Sequence, residues 1–110
     1  NIIFLHLKRN YHQISWARTE SGKEIDFVTI APGTPAHPVE AIRLWQVCYE
    51  MENPTTFERK TQALWEAMEL YGVKRGTIIT YSTEQQLAKE EMTIAVIPAW
   101  KFLLSPGALQ

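Results

Sequence analysis

Ser21-Gly22-Lys23-Glu24-Ile25-Asp26-Phe27-Val28 decides the fold, read with Leu44-Trp45-Gln46-Val47-Cys48-Tyr49 some twenty residues later. The first stretch opens on a hairpin turn, Glu20 to Lys23, and runs into a strand over 24–31. Ile25, Phe27 and Thr29 fall on one face of that strand, and Glu24, Asp26, Val28 and Ile30 on the other. The second stretch belongs to a near-continuous apolar run over 41–51, as expected of a central strand buried on both faces. Ile42, Leu44, Gln46 and Cys48 share one face there, and Arg43, Trp45, Val47 and Tyr49 the other. Asp26 in one strand thus has an amide and a thiol as its counterparts in the next.

Outward from this pair, residues 1–10 read as a short helix with Ile2, Ile3 and Leu5 as an apolar stripe and Lys8-Arg9 at its C-terminus. Residues 13–18 alternate as a strand, with Ile14 and Trp16 pointing one way. Three prolines and a glycine make 32–38 a loop. Asn53 caps and Pro54 begins the strongest helix, whose stripe is Phe57, Thr61, Leu64, Met68 and Tyr71 and whose stop is Gly72. Residues 77–81 form a buried strand, 82–91 a polar stretch with a turn, 92–97 a strand closed by Pro98, and 100–104 a terminal helical turn. The strand–helix–strand segment between Cys48 and Tyr81 implies a parallel crossover beside an antiparallel front hairpin. The expected fold is α/β, a mixed sheet with helices on its faces. Residues 1–104 are expected to form one domain and 105–110 a tail.

With 110 residues the chain has room for one modest core. A net charge of −1 excludes an overall basic field for nucleic acid. A local group remains in Lys8, Arg9, Arg18 and Lys23, opposed there by Glu20. A single cysteine excludes an internal disulfide and a cysteine-based zinc site. No apolar run reaches the ~20 residues of a membrane span, and no signal-peptide pattern is present. The expectation is a soluble, cytoplasmic chain. It opens without an initiator Met, which points to residues upstream.

The element order resembles the restriction-endonuclease-like fold of the PD-(D/E)XK nuclease superfamily. More closely, the chain resembles the C-terminal domain, of unknown function, of a group of prokaryotic AAA-type ATPases. The matching pieces are Phe4-Leu5-His6-Leu7-Lys8-Arg9, Trp16-Ala17-Arg18, the stretch 21–28, Gln46-Val47-Cys48-Tyr49-Glu50, Asn53-Pro54-Thr55-Thr56, Glu58-Arg59, Ala63-Leu64, the stretch 76–81 and the stretch 97–104. The phosphate-cradling loop of such ATPases is missing: Ser21-Gly22-Lys23 lies in a hairpin without it. The resemblance therefore implies a stand-alone relative or a piece of a larger protein, with an ATPase as a possible partner.

In that superfamily carboxylates hold Mg²⁺ and a Lys two residues beyond a Glu assists the chemistry. The resemblance places Asp26, Gln46 and Cys48 at these catalytic positions. Gln46 offers a neutral oxygen in place of a carboxylate, and Cys48 supplies no fixed positive charge. A first-helix Glu would precede Asn1, and His6 stands where a second acid is common. Metal binding would fall to Asp26 with Glu24. No cofactor is expected unless the nuclease reading holds, in which case it is Mg²⁺.

Each residue also has a plain structural reading. Asp26 can cap backbone or pair with Arg18 or Lys23, and Glu24 can be a solvated edge residue. Gln46 reads as a buried amide satisfied by backbone, and Cys48 as a small core residue. His6, His12 and His37 are placed by no motif. Glu40 mimics the motif Glu, but Ile42 fills the Lys position. Among the tryptophans, a possible base-stacking set, Trp45 and Trp100 read as core and Trp65 as an exposed or interface residue. Lys8, Arg9, Arg18 and Lys23 are candidate nucleic-acid contacts or a solvated surface. The leading expectation is a degenerate nuclease-fold module that binds protein or DNA without cutting. The alternatives are a Mg²⁺-dependent DNA nuclease and a structural domain that self-associates.

Overall fold

A computed structural model describes residues 1–11, 13–31, 41–49 and 53–104. The expected loop over 32–38, His12, His37, Glu40 and the expected tail from Ser105 lie outside the described residues. The elements run α1 (Ile2–Asn10), β1 (Gln13–Arg18), β2 (Glu24–Ile30), β3 (Ile42–Cys48), α2 (Pro54–Tyr71), β4 (Arg75–Thr80), β5 (Gln85–Lys89), β6 (Met92–Pro98) and α3 (Ala99–Leu104). The strands form one sheet in the order β1-β2-β3-β4-β6-β5. β3, β4 and β6 are mutually parallel; β1–β2, β2–β3 and β5–β6 are antiparallel. The mixed α/β sheet, its front hairpin and the crossover from β3 to β4 through α2 are all as expected.

Local chemistry explains the boundaries. Asn1 caps α1 by accepting from the Ile3 and Phe4 amides, and Asn53 caps α2 through the Thr55 and Thr56 amides. Pro54 follows at the first helical position, where its missing N–H costs nothing. α2 stops at Gly72, whose φ of 74° no β-carbon has to endure. There the Val73 amide turns back to the Met68 carbonyl and closes the helix end.

The core has two parts, one on each face of the sheet. On the α2 face, Leu44, Cys48, Ile78, Ile94 and Val96 meet Leu64, Trp65, Ala67 and Met68. On the other face, Trp45, Ile79 and Ile97 meet Ile3, Leu7 and Tyr11 of the α1 segment and Phe102 of α3. Trp45 sits near the middle of the second cluster, with its ring 5.9 Å from Tyr11 and 5.4 Å from Phe102. Its indole N–H is satisfied by the Thr29 hydroxyl at 2.9 Å.

Three expectations need correcting. The polar stretch 82–91 contains strand β5, which pairs residue by residue with β6. Its turn is Glu90-Glu91, and Glu90 adopts φ 56° without being glycine, so the usual turn residues are absent. Trp65 is 7% exposed and belongs to the core, because α2 buries a broader face than its main stripe. Trp100 is 59% exposed, because Ala99, Phe102 and Leu103 are the side of α3 that packs.

Gly76 of β4 lies where α2 comes closest to the sheet. A β-carbon there would stand 2.9 Å from Met68 Sδ and 3.0 Å from the Leu64 side chain. Gly76→Ala is expected to destabilise the fold by roughly 1–3 kcal/mol. Urea unfolding should show a lower midpoint at unchanged slope; an unchanged midpoint would mean that α2 is free to shift.

Candidate functional site

β2 and β3 pair regularly from Ile30–Ile42 to Phe27–Trp45, and the ladder stops there. On its other side β2 carries one extra residue: Ser15 pairs with Val28 but Ala17 with Ile25, so two steps of β1 match three of β2. This bulge lies at Asp26 and Phe27. It corrects the expected faces of β2, because Ile25 joins Val28 on the α2 face while Phe27 faces the second cluster.

Side chains bridge the place where the ladder opens. Gln46, fully buried, accepts from the Asp26 amide through Oε1 at 2.9 Å. Its Nε2 donates to the Glu24 carbonyl and to the Lys60 carbonyl of α2, both at 3.1 Å. Asp26 answers from the opposite strand: its Oδ2 accepts from the Val47 amide at 2.8 Å. The same oxygen accepts from Lys60 Nζ at 2.8 Å. Each strand thus offers a side chain to the other's backbone, as buried peptide groups without a ladder require.

The expected pairing of Asp26 with Arg18 or Lys23 is replaced by Lys60. Lys60 is marked in the sequence only by its place three residues after Phe57 and four before Leu64, at the margin of the apolar stripe. A long ammonium-bearing chain at that margin can lie along apolar surface and reach a carboxylate beyond it. Gln46 is the backbone-satisfied amide. Cys48 is 2% exposed within the α2-face core, on the strand that also carries Gln46. Glu24 points to Arg18, at 2.7 Å, and both side chains are exposed. Among the described residues no three His, Cys, Asp or Glu side chains gather closely enough to hold a metal.

The other named residues are dispersed. Lys23 lies on the α2 side, 3.1 Å from Glu66. Lys8 is 5.8 Å from the ring centre of Phe4, and Arg18 is 5.9 Å from that of Trp16. His6 packs edge-on against Phe102 at 4.8 Å, and burial, with Arg9 adding repulsion, lowers its pKa. Trp16 is 66% exposed. No helix among the described residues is long and apolar enough to cross a membrane. No protein-family model, curated protein or solved structure matches this chain.

The hairpin that carries Asp26 is moored to α2 by Glu66. Its carboxylate accepts from Ser21 Oγ at 2.7 Å and 3.0 Å and from Lys23 Nζ at 3.1 Å. Hydrogen bonds from Ser21, Lys23 and Thr19 lower the Glu66 pKa to about 2, from an ordinary 4.5. A depressed carboxyl stabilises the fold above its unfolded pKa, and that contribution fades as pH falls through the folded value. Glu66→Gln should therefore flatten the acid limb of a stability–pH curve between about 4.5 and 2. Equal slopes for parent and variant in urea titrations across that range would refute the mooring. For the junction itself, Gln46→Leu keeps the volume but strands the Asp26 amide and the Glu24 carbonyl. Chemical unfolding should register a loss of about 2–4 kcal/mol, and a loss under ~1 kcal/mol would show that the backbone finds other partners.

Proposed function

We propose that this chain is a catalytically degenerate domain of the nuclease-like type, related to the C-terminal domain of AAA-type ATPases. In this reading it binds a partner, nucleic acid or an ATPase or other protein, in the cytoplasm. The observation that carries the reading is the occupation of Asp26. Its Oδ2 is committed to Lys60 and to the Val47 amide, and the neighbouring motif position is a neutral amide consumed by three backbone groups. A hard divalent cation needs several oxygen ligands, preferably anionic. At Asp26 it would have to displace an ammonium group, with Glu24 drawn toward Arg18. The order of elements supports the kinship: a front hairpin, a doubly buried strand and a helical crossover to a parallel neighbour.

A protein-contact role draws on a separate observation. Tyr49, Tyr81 and Trp100 follow the carboxyl ends of β3, β4 and β6 and are all exposed. Exposed aromatics at one end of a sheet are common anchors in interfaces.

Titration with Mn²⁺ or Mg²⁺ to millimolar levels, followed by tryptophan fluorescence, should give no saturable change, and plasmid DNA should remain intact under the same conditions. Metal-dependent cleavage that disappears in Asp26→Ala would overturn the proposal in favour of a nuclease.

A further inference from the structure

We propose that the surface formed by Trp16 of β1 with Phe4 and Lys8 of α1 binds single-stranded nucleic acid by stacking bases on Trp16. The bulge in β2 is the starting point. It turns Phe27 toward the α1 face, where its ring lies 6.1 Å from Phe4. Trp16 stands opposite this bulge, between the paired residues Ser15 and Ala17. Phe4, Phe27 and Trp16 thereby come from the adjoining elements α1, β2 and β1, and each of the two outer rings has a cation beside it. Lys8 lies over Phe4, and Arg18 over Trp16.

Trp16 leaves two-thirds of its surface in water on an edge strand, so burial does not explain it. Arg18 shares its charge with Glu24. Lys8 and Arg9 are exposed and make no ion pair among the described residues. Lys8, Arg9 and Arg18 stand against Glu24 and, in the adjoining turn, Glu20, which leaves a small cationic excess on a chain whose overall charge is −1. An exposed planar ring beside an ion-paired Arg18, with the unpaired cations Lys8 and Arg9 on the adjoining α1, matches a ligand with planar bases and an anionic backbone. Unpaired bases are required, because a stacked duplex offers no free base face to Trp16. An acidic peptide would engage Lys8 and Arg9 but leave the indole unused. Lys23, held by Glu66 on the α2 side, is excluded from the surface.

The inference rests on the binding-module reading only in that the strand is held and not cut, so the assay is run in chelator. Fluorescence anisotropy of a labelled oligothymidylate should show saturable binding that weakens with salt. A log–log slope of about −1.4 to −2.1 corresponds to two or three phosphate contacts on a single strand. Trp16→Ala should weaken binding roughly tenfold, and Trp16→Phe should recover most of the loss. The double variant Lys8→Ala/Arg9→Ala should flatten the salt dependence. Far-UV circular dichroism confirms folding, which an exposed position should not disturb. Absence of binding, an unchanged affinity in Trp16→Ala, or equal competition by polyglutamate or duplex DNA would each overturn the proposal. Unchanged binding in chelator with cleavage on adding Mg²⁺ would uphold this surface while overturning the non-catalytic reading.

Discussion

The buried amide of Gln46 is the constraint around which the rest of the structure is arranged. The β2–β3 ladder ends at Phe27–Trp45, where β2 also takes in an extra residue against β1 at Asp26 and Phe27. Parting the strands leaves peptide groups inside the protein, each costly without a partner. Gln46 has a donor and an acceptor in one rigid plane and meets Asp26, Glu24 and Lys60 at once. It ties two strands and a helix at one point. A carboxylate at this position would lack the N–H groups that hold the Glu24 and Lys60 carbonyls. The amide is therefore suited to the structure in the same respect in which it is unsuited to metal chemistry.

Asp26 shows the same exchange. Its hydrogen bond to the Val47 amide secures the outer end of the parted pair, and Lys60 neutralises it from α2. The ion pair is partly solvated, so its contribution to stability is modest, about 1 kcal/mol or less. Its larger effect is chemical, since the ammonium takes up the carboxylate that a nuclease would offer to a cation. The proposed kinship and the proposed lack of catalysis rest on the same few side chains.

Much of this is legible in the sequence. Asn53, Pro54 and Gly72 mark both ends of α2 by local chemistry alone. The apolar run around Leu44 and Trp45 identifies the central strand, because burial on both faces removes the alternation. Gln46 was readable as a backbone-bound amide because a neutral polar residue in such a strand has few other roles. What remained hidden depends on partners distant in the chain. β5 is polar, and only its ladder with β6 makes it a strand. The bulge follows from pairing on both sides of β2, which no single segment encodes. Lys60 is an ordinary helix lysine until the fold brings Asp26 beside it, and Trp65 and Trp100 exchanged their expected places because a short helix and a broad one bury different fractions of their circumference.

β5 has a consequence for the protein's behaviour outside its native state. It lies along the edge of β6, whose segment Ile94-Ala95-Val96-Ile97 is uncharged, β-prone and largely buried. β5 itself is short and mostly exposed, and it ends in Lys89 with two glutamates in the turn beyond. Such a strand makes a poor template for another chain, while β6 without it would be a good one. β5 therefore works as a gatekeeper, a polar strip that ends the sheet and keeps its most adhesive strand away from neighbouring molecules.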